Sequence, residues 1–276
     1  MLRFYGLVFL SLLPGLTAVV HADDATVLRD VAYGNAPAQR LDVYKPAHAH
    51  AAPVIVMVHG GAWMIGNKSN PGVAGRKQAH WAERGYVFVS IDYRMVPTAD
   101  PFVQAQDVSS ALAYVQKHAG DWGGDGARVA LIGHSAGAHL VALLAADPSI
   151  AYAQGARAWL GTIALDSAAY SVPRIMTLPH AGFYDRVFGS DEAFWRKVSP
   201  LDRLQGKAQP MLLVCSSQRL LSCTQAQTFA KAVNDKGGRA QVLPEALTHA
   251  QINGELGGDS DYTRAVDTFL HSLGLP

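Results

Sequence analysis

Short runs of apolar, largely β-branched residues recur along the chain at Pro53–Val58, Tyr86–Ile91, Arg128–Ile132, Gly161–Leu165, Pro210–Cys215 and Ala240–Leu243. Runs that are apolar on both faces suit strands covered on both sides of a parallel sheet. An earlier run, Leu41–Tyr44, alternates and reads as a half-exposed strand. Helical stretches lie between these runs. Lys77–Arg84 stops at Gly85, and Pro101–His118 carries Val108, Leu112 and Val115 near helical spacing. Ala136–Ala146 is small and apolar all round, which predicts a buried helix. Thr224–Lys236 ends at Gly237-Gly238, a helix stop, and Asp259–Leu273 closes the chain. This alternation predicts an α/β fold: a doubly wound, mostly parallel sheet flanked by helices. No linker divides residues 23–276, so one domain is expected. Residues 170–203 interrupt the alternation and hold Tyr170, Phe183, Tyr184, Phe188, Phe194 and Trp195, so they are expected to form a small cap-like insertion at the sheet edge.

Residues 1–22 read as an address. Arg3 precedes an apolar run from Phe4 to Val20, broken by Pro14 and Gly15, and Val20-His21-Ala22 precedes Asp23-Asp24. This is the pattern of a secretory signal peptide cleaved near Ala22; the alternative is an uncleaved anchor, for which the run is short. Export to the periplasm or the medium is therefore expected, with no stable membrane insertion after processing. Removing residues 1–22 takes away Arg3 and no acid, leaving basic and acidic residues equal in number. That balance gives no electrostatic reason to expect nucleic acid as a partner. In an oxidising compartment Cys215 and Cys223, flanking one loop, read as a disulfide that fixes the loop's shape, or else as two buried thiols.

The chemistry centres on Gly133-His134-Ser135-Ala136-Gly137. This G-x-S-x-G directly follows a predicted strand and directly precedes a predicted helix, as a nucleophile on a tight strand–helix turn requires. Ser135 then lies at a helix N-terminus, where free N–H groups favour developing negative charge. His59-Gly60-Gly61-Ala62-Trp63 also follows a strand. A glycine-rich turn there exposes backbone N–H groups, so Gly61 or Ala62 together with Ala136 are the expected oxyanion donors. No phosphate-loop or dinucleotide motif accompanies it. The general base must come from eleven histidines. His249 follows the last predicted strand, where the order serine, acid, histidine places it. His134 and His139 flank the serine, but the turn points them away from the reacting centre.

These motifs, with Asp92-Tyr93-Arg94, the helix bearing Asp107, and Trp122-Gly123-Gly124-Asp125, resemble the α/β-hydrolase superfamily, specifically its small bacterial carboxylesterase branch of feruloyl-esterase-like and arylformamidase-like enzymes. The resemblance implies Ser135 as nucleophile, His249 as base, and Gly61, Ala62 and Ala136 as oxyanion donors. It also implies an acid on the loop after the strand ending at Cys215. That loop reads Ser216-Ser217-Gln218-Arg219-Leu220-Leu221-Ser222, without a carboxylate. Three readings follow. Asp166, at the end of the preceding strand, supplies the acid; or a Ser–His dyad works with weakened activity; or hydrolysis is lost and a binding pocket kept. Asp166 also has a purely structural reading, as a hydrogen-bonding group at a strand end. The expected function is hydrolysis of a small or aryl ester through an acyl-enzyme; the alternatives are an amidase or arylformamidase, and a non-catalytic ligand-binding homologue. Trp63, Tyr170 and His180 are the expected pocket residues. No metal-ligand spacing or cofactor motif is present.

Overall fold

The computed structural model describes residues 26–276. The leader expected over residues 1–22 lies outside them. Eight strands form one sheet: β1 (Thr26–Ala32), β2 (Arg40–Lys45), β3 (Ala52–Val58), β4 (Val87–Ile91), β5 (Gly124–His134), β6 (Gly161–Leu165), β7 (Met211–Ser216) and β8 (Ala240–Glu245). Eleven α-helices accompany them among the described residues: α1 (Gly75–Ala82), α2 (Pro101–His118), α3 (Ala136–Ala146), α4 (Ser149–Tyr152), α5 (Val172–Met176), α6 (Phe183–Phe188), α7 (Glu192–Lys197), α8 (Pro200–Arg203), α9 (Ser222–Asp235), α10 (His249–Gly254) and α11 (Asp261–His271).

The strand order is β1-β2-β4-β3-β5-β6-β7-β8. The pairs β1/β2 and β2/β4 are antiparallel and the rest are parallel. The strands predicted from Pro53 onward are all present. β1 is the strand that the sequence pattern missed. It is an edge strand with mostly exposed or half-buried residues and an irregular register between Leu28 and Val31, so it shows no alternation to read.

Both faces of the sheet are covered, which explains the continuous apolar runs. On β3, Val54, Val56 and Val58 pack into one core with α2, α3 and α9; Ile55 and Met57 enter the other with Trp81 of α1 and Val266 and Phe269 of α11. Helix α3 is buried along its whole length, as its composition requires.

The winding direction changes at β3. The chain moves outward to β4 and then crosses back to β5 on β3's other side. At such a reversal the loops leaving the strand ends splay apart and open a crevice. Parallel register brings the ends level: Val58 pairs with Gly133, His134 with Leu165, and Leu165 with Val214. The segments after β3, β5 and β6 therefore meet at one edge.

Candidate active site

The turn after β5 holds Ser135 at φ 55 and ψ −113, a conformation that costs a residue with a side chain about 1–3 kcal/mol. Close packing enforces it. A methyl group on Gly133 would lie 2.3 Å from the Gly137 carbonyl oxygen, and one on Gly137 would lie 2.3 Å from that of Val58. The G-x-S-x-G glycines thus let β5, α3 and β3 approach one another without side chains between them. Ser135 N–H donates to the Leu165 carbonyl at 2.9 Å, tying the turn to β6.

The loop after β3 is pressed against this turn, since a methyl group on Gly60 would meet the Ser135 Cβ at 2.9 Å. Gly61, Ala62 and Trp63 all have positive φ, at 123, 52 and 60°. The N–H groups of Gly61 and Ala62 have no acceptor among the described residues, and that of Ala136 opens the first turn of α3, where no helical acceptor exists. His59 braces the loop from below. It is fully buried and stacks on Tyr93 at 4.4 Å, and burial lowers its pKa to about 4, so it is neutral. Trp63 is fixed from α3: its indole N–H donates to His139 Nδ1 at 3.1 Å, so His139 carries its hydrogen on Nε2 and donates to the Val198 carbonyl at 2.7 Å.

His249 begins α10, whose N-cap is Thr248 in a reciprocal capping box with Gln251. Its Nε2 lies 2.9 Å from Ser135 Oγ and its Nδ1 lies 2.5 Å from Asp166 Oδ2. Nδ1–H therefore donates to the carboxylate, which leaves Nε2 free to accept the serine proton. His134 lies beneath the imidazole, 4.5 Å away between ring centroids, and donates from Nε2 to the His249 carbonyl at 3.0 Å. Burial, reinforced by the neighbouring His249, lowers the His134 pKa to about 3. His134 thus positions His249 as a neutral donor.

Asp166 follows β6, also at positive φ (56°), and is fully buried. Its Oδ1 accepts from the Ser216 N–H at 2.8 Å and from the Ser222 hydroxyl; its Oδ2 accepts from Arg219 Nη1 at 2.8 Å as well as from His249. Burial pushes the carboxyl pKa up, but the hydrogen bonds from His249, Ser216 and Ser222 and the charge of Arg219 outweigh it and hold the group well below the usual carboxylate range. Arg219 Nη1 also lies 3.1 Å from His249 Nδ1. Nδ1 already spends its hydrogen on Asp166, so this is a meeting of two donors.

Ser216, Arg219 and Ser222 all lie in the segment between Cys215 and Cys223, which are joined with an S–S distance of 2.06 Å. The loop expected to carry the acid instead carries three donors to a carboxylate one strand closer to Ser135. Adjacent strands are about 4.8 Å apart. The register of β5 with β6 sets Asp166 level with Ser135, and His249 reaches both. None of these three donors was singled out from the sequence. Two serines and an arginine carry no signal until the position of the buried carboxylate is known.

These groups line a cleft of about 500 Å³, bounded by Gly61, Ala62, Trp63, Ser135, Asp166, Arg219 and His249 and walled by Ile65, Ala168, Ala169, Phe183 and Tyr184. Ala62, Trp63, Ser135 and Asp166 are four of the six non-glycine residues with positive φ among the described residues, so backbone strain concentrates here.

A family model described as BD-FAE matches residues 41–154. The chain is 30% identical over 267 residues to the isoprenylcysteine alpha-carbonyl methylesterase ICME of Arabidopsis thaliana, covering 87% of this chain and 61% of that protein. It is 31% identical over 219 residues to esterase LipC of Mycobacterium tuberculosis, covering 74% and 54%. The chain thus spans less than two thirds of either relative's length. Its structure superposes on phosphonate-inhibited esterase B of Lactobacillus rhamnosis with a TM-score of 0.73 at 22% identity, covering 91% and 86% of the two chains. The chain has the α/β-hydrolase fold.

Within this fold two expected pocket residues stand elsewhere. Tyr170 is buried away from the cleft with its ring stacked on Phe229 of α9 at 5.1 Å, because an aromatic ring gains more in the apolar core than at a wet rim. His180 bonds within its own segment, to Asp185 at 3.0 Å and the Leu178 carbonyl at 2.6 Å, and both raise its pKa, Asp185 most. The segment 170–203 sends Phe183 and Tyr184 into the cleft instead, while Trp63 lines it as expected.

The hydrogen held between His249 Nδ1 and Asp166 gives a direct check on this geometry. A proton NMR spectrum in water is expected to show a far-downfield imidazole resonance that disappears in Asp166→Asn with the fold retained. A resonance that persists there would place the hydrogen on another partner.

Proposed function

We propose that this α/β-hydrolase is a serine carboxylic-ester hydrolase with Ser135 as nucleophile, His249 as general base and Asp166 as the supporting acid. The observation that carries the reading is the continuous relay from Ser135 Oγ through the His249 imidazole to Asp166 Oδ2, with the serine on a strained turn beside unpaired backbone N–H groups. The esterase names of its relatives support the same reaction class.

The derived mechanism is acyl transfer. His249 Nε2 removes the Ser135 proton as Oγ bonds to the ester carbonyl carbon. The N–H groups of Gly61, Ala62 and Ala136 receive the oxyanion, and such donors are each worth ~3–4 kcal/mol in the transition state. The carbon–oxygen bond breaks as Nε2 returns the proton to the leaving alcohol, and water then repeats the sequence on the acyl-enzyme. Asp166 keeps the imidazole in the Nδ1–H tautomer and stabilises the imidazolium. A carboxylate bonded this way supports a triad over a weakened dyad. The cleft's size and its Trp63, Phe183 and Tyr184 walls suit a small or aryl ester.

Export belongs to the same proposal. The Cys215–Cys223 bridge that shapes the Asp166 donors is a bond that oxidising compartments maintain. A secreted product is expected to begin at Asp23, and N-terminal sequencing that finds Met1 would refute cleavage.

On a short-chain aryl ester, Ser135→Ala is expected to lower kcat on the order of 10³-fold or more with thermal stability unchanged, and an organophosphonate is expected to label Ser135. Unlabelled Ser135 with full activity in the alanine variant would sink the serine mechanism. Faster cleavage of the matched anilide would reassign the enzyme as an amidase.

A further inference from the structure

Arg219 is the one cationic side chain that lines the cleft among the described residues, and acyl transfer needs it only to steady Asp166. That task occupies a single nitrogen. Nη1 makes the contacts to the Asp166 carboxylate, the Asp166 carbonyl and His249 Nδ1, whereas Nη2 and Nε have no hydrogen-bond partner among the described residues. The side chain is one-third exposed, at 33%. A guanidinium presents its donors in a rigid fork that fits a carboxylate, so a cleft-lining arginine with two unoccupied nitrogens offers half of an anion site. Tyr184 supplies a second donor. Its hydroxyl has no partner among the described residues, and Arg219 lies close enough to offset part of the burial that raises the phenol's pKa.

The charge balance points the same way. Asp166 alone would leave a net negative charge under the reacting centre and repel an anionic substrate. Arg219 cancels that charge in the resting state. Its cost comes during the reaction, because a guanidinium 3.1 Å from Nδ1 opposes the imidazolium that forms. An anion seated on the free edge of Arg219 restores the balance at that moment. The relevant half of the substrate is the alcohol. His249 Nε2 must reach the leaving oxygen, so the alcohol lies along the imidazole, and Arg219 sits at that ring's far edge.

We propose that Arg219 makes the cleft selective for esters whose alcohol half carries a carboxylate about an aryl ring's length from the ester oxygen. The inference rests on the esterase reading. The test compares 4-carboxyphenyl butyrate with its neutral carboxamide counterpart, 4-carbamoylphenyl butyrate. The wild-type enzyme is expected to favour the carboxylate by roughly 10- to 100-fold in kcat/KM, the worth of one charge-assisted hydrogen-bonded pair, with the ratio shrinking as salt is added. Arg219→Gln is expected to bring the ratio to about one or below, and Arg219→Lys to recover part of it. A wild-type ratio of one or below, or an Arg219→Gln variant that slows both esters equally, would overturn the proposal and leave Arg219 as a positioning residue for Asp166. If neither ester is cleaved, the esterase reading fails by itself. Calorimetric binding of the two esters to Ser135→Ala, with and without Arg219→Gln, still decides whether the cleft prefers the anion.

Discussion

A buried carboxylate is tolerated only where donors surround it, and Asp166 has four: the Ser216 N–H, the Ser222 hydroxyl, Arg219 Nη1 and His249 Nδ1. Breaking a buried charged pair of this kind costs ~3–5 kcal/mol, a large fraction of a domain's net stability. The group therefore organises its surroundings. It fixes the tautomer of His249, anchors the loop between Cys215 and Cys223 to the end of β6, and through Ser216 couples to the chain before α10, since the Ser216 hydroxyl donates to the Leu247 carbonyl at 2.6 Å. The contact between His249 and Ser135 Oγ is the outer end of a network whose fixed point is one buried oxygen pair.

The network exists because the sheet is in register. Parallel strands whose ends are level bring the turns after β3, β5 and β6 side by side, and each turn is held in a strained conformation that its neighbours enforce. Glycines make the contact possible at Gly60, Gly133 and Gly137, where a side chain would strike backbone. Stability is given up locally, and the serine hydroxyl, the unpaired N–H groups and the imidazole converge on one cleft.

Much of this was legible in the sequence because it is local. The β-branched runs that mark the central strands, the G-x-S-x-G turn and the His-Gly-Gly loop each declare themselves within a few residues, and His249 follows from its place after the last strand. The neighbours of Asp166 were not legible there, because a carboxylate at a strand end gives no local sign of which donors meet it. Those neighbours lie 50 to 83 residues away in sequence. The edge strand β1 escaped because its side chains have no buried face to alternate with, and α10 because six residues carry too little periodicity. Tyr170 and His180 were misplaced for a related reason: an aromatic-rich segment reveals that rings will be buried, and the tertiary fold decides which of them face the cleft.

A double-mutant cycle on kcat decides whether Asp166 acts through His249. If it does, Asp166→Asn lowers kcat on the order of 10³–10⁴-fold in the intact enzyme and has almost no further effect in a His249→Ala background, because the imidazole it serves is already gone. Equal losses in both backgrounds would show that Asp166 supports only the fold.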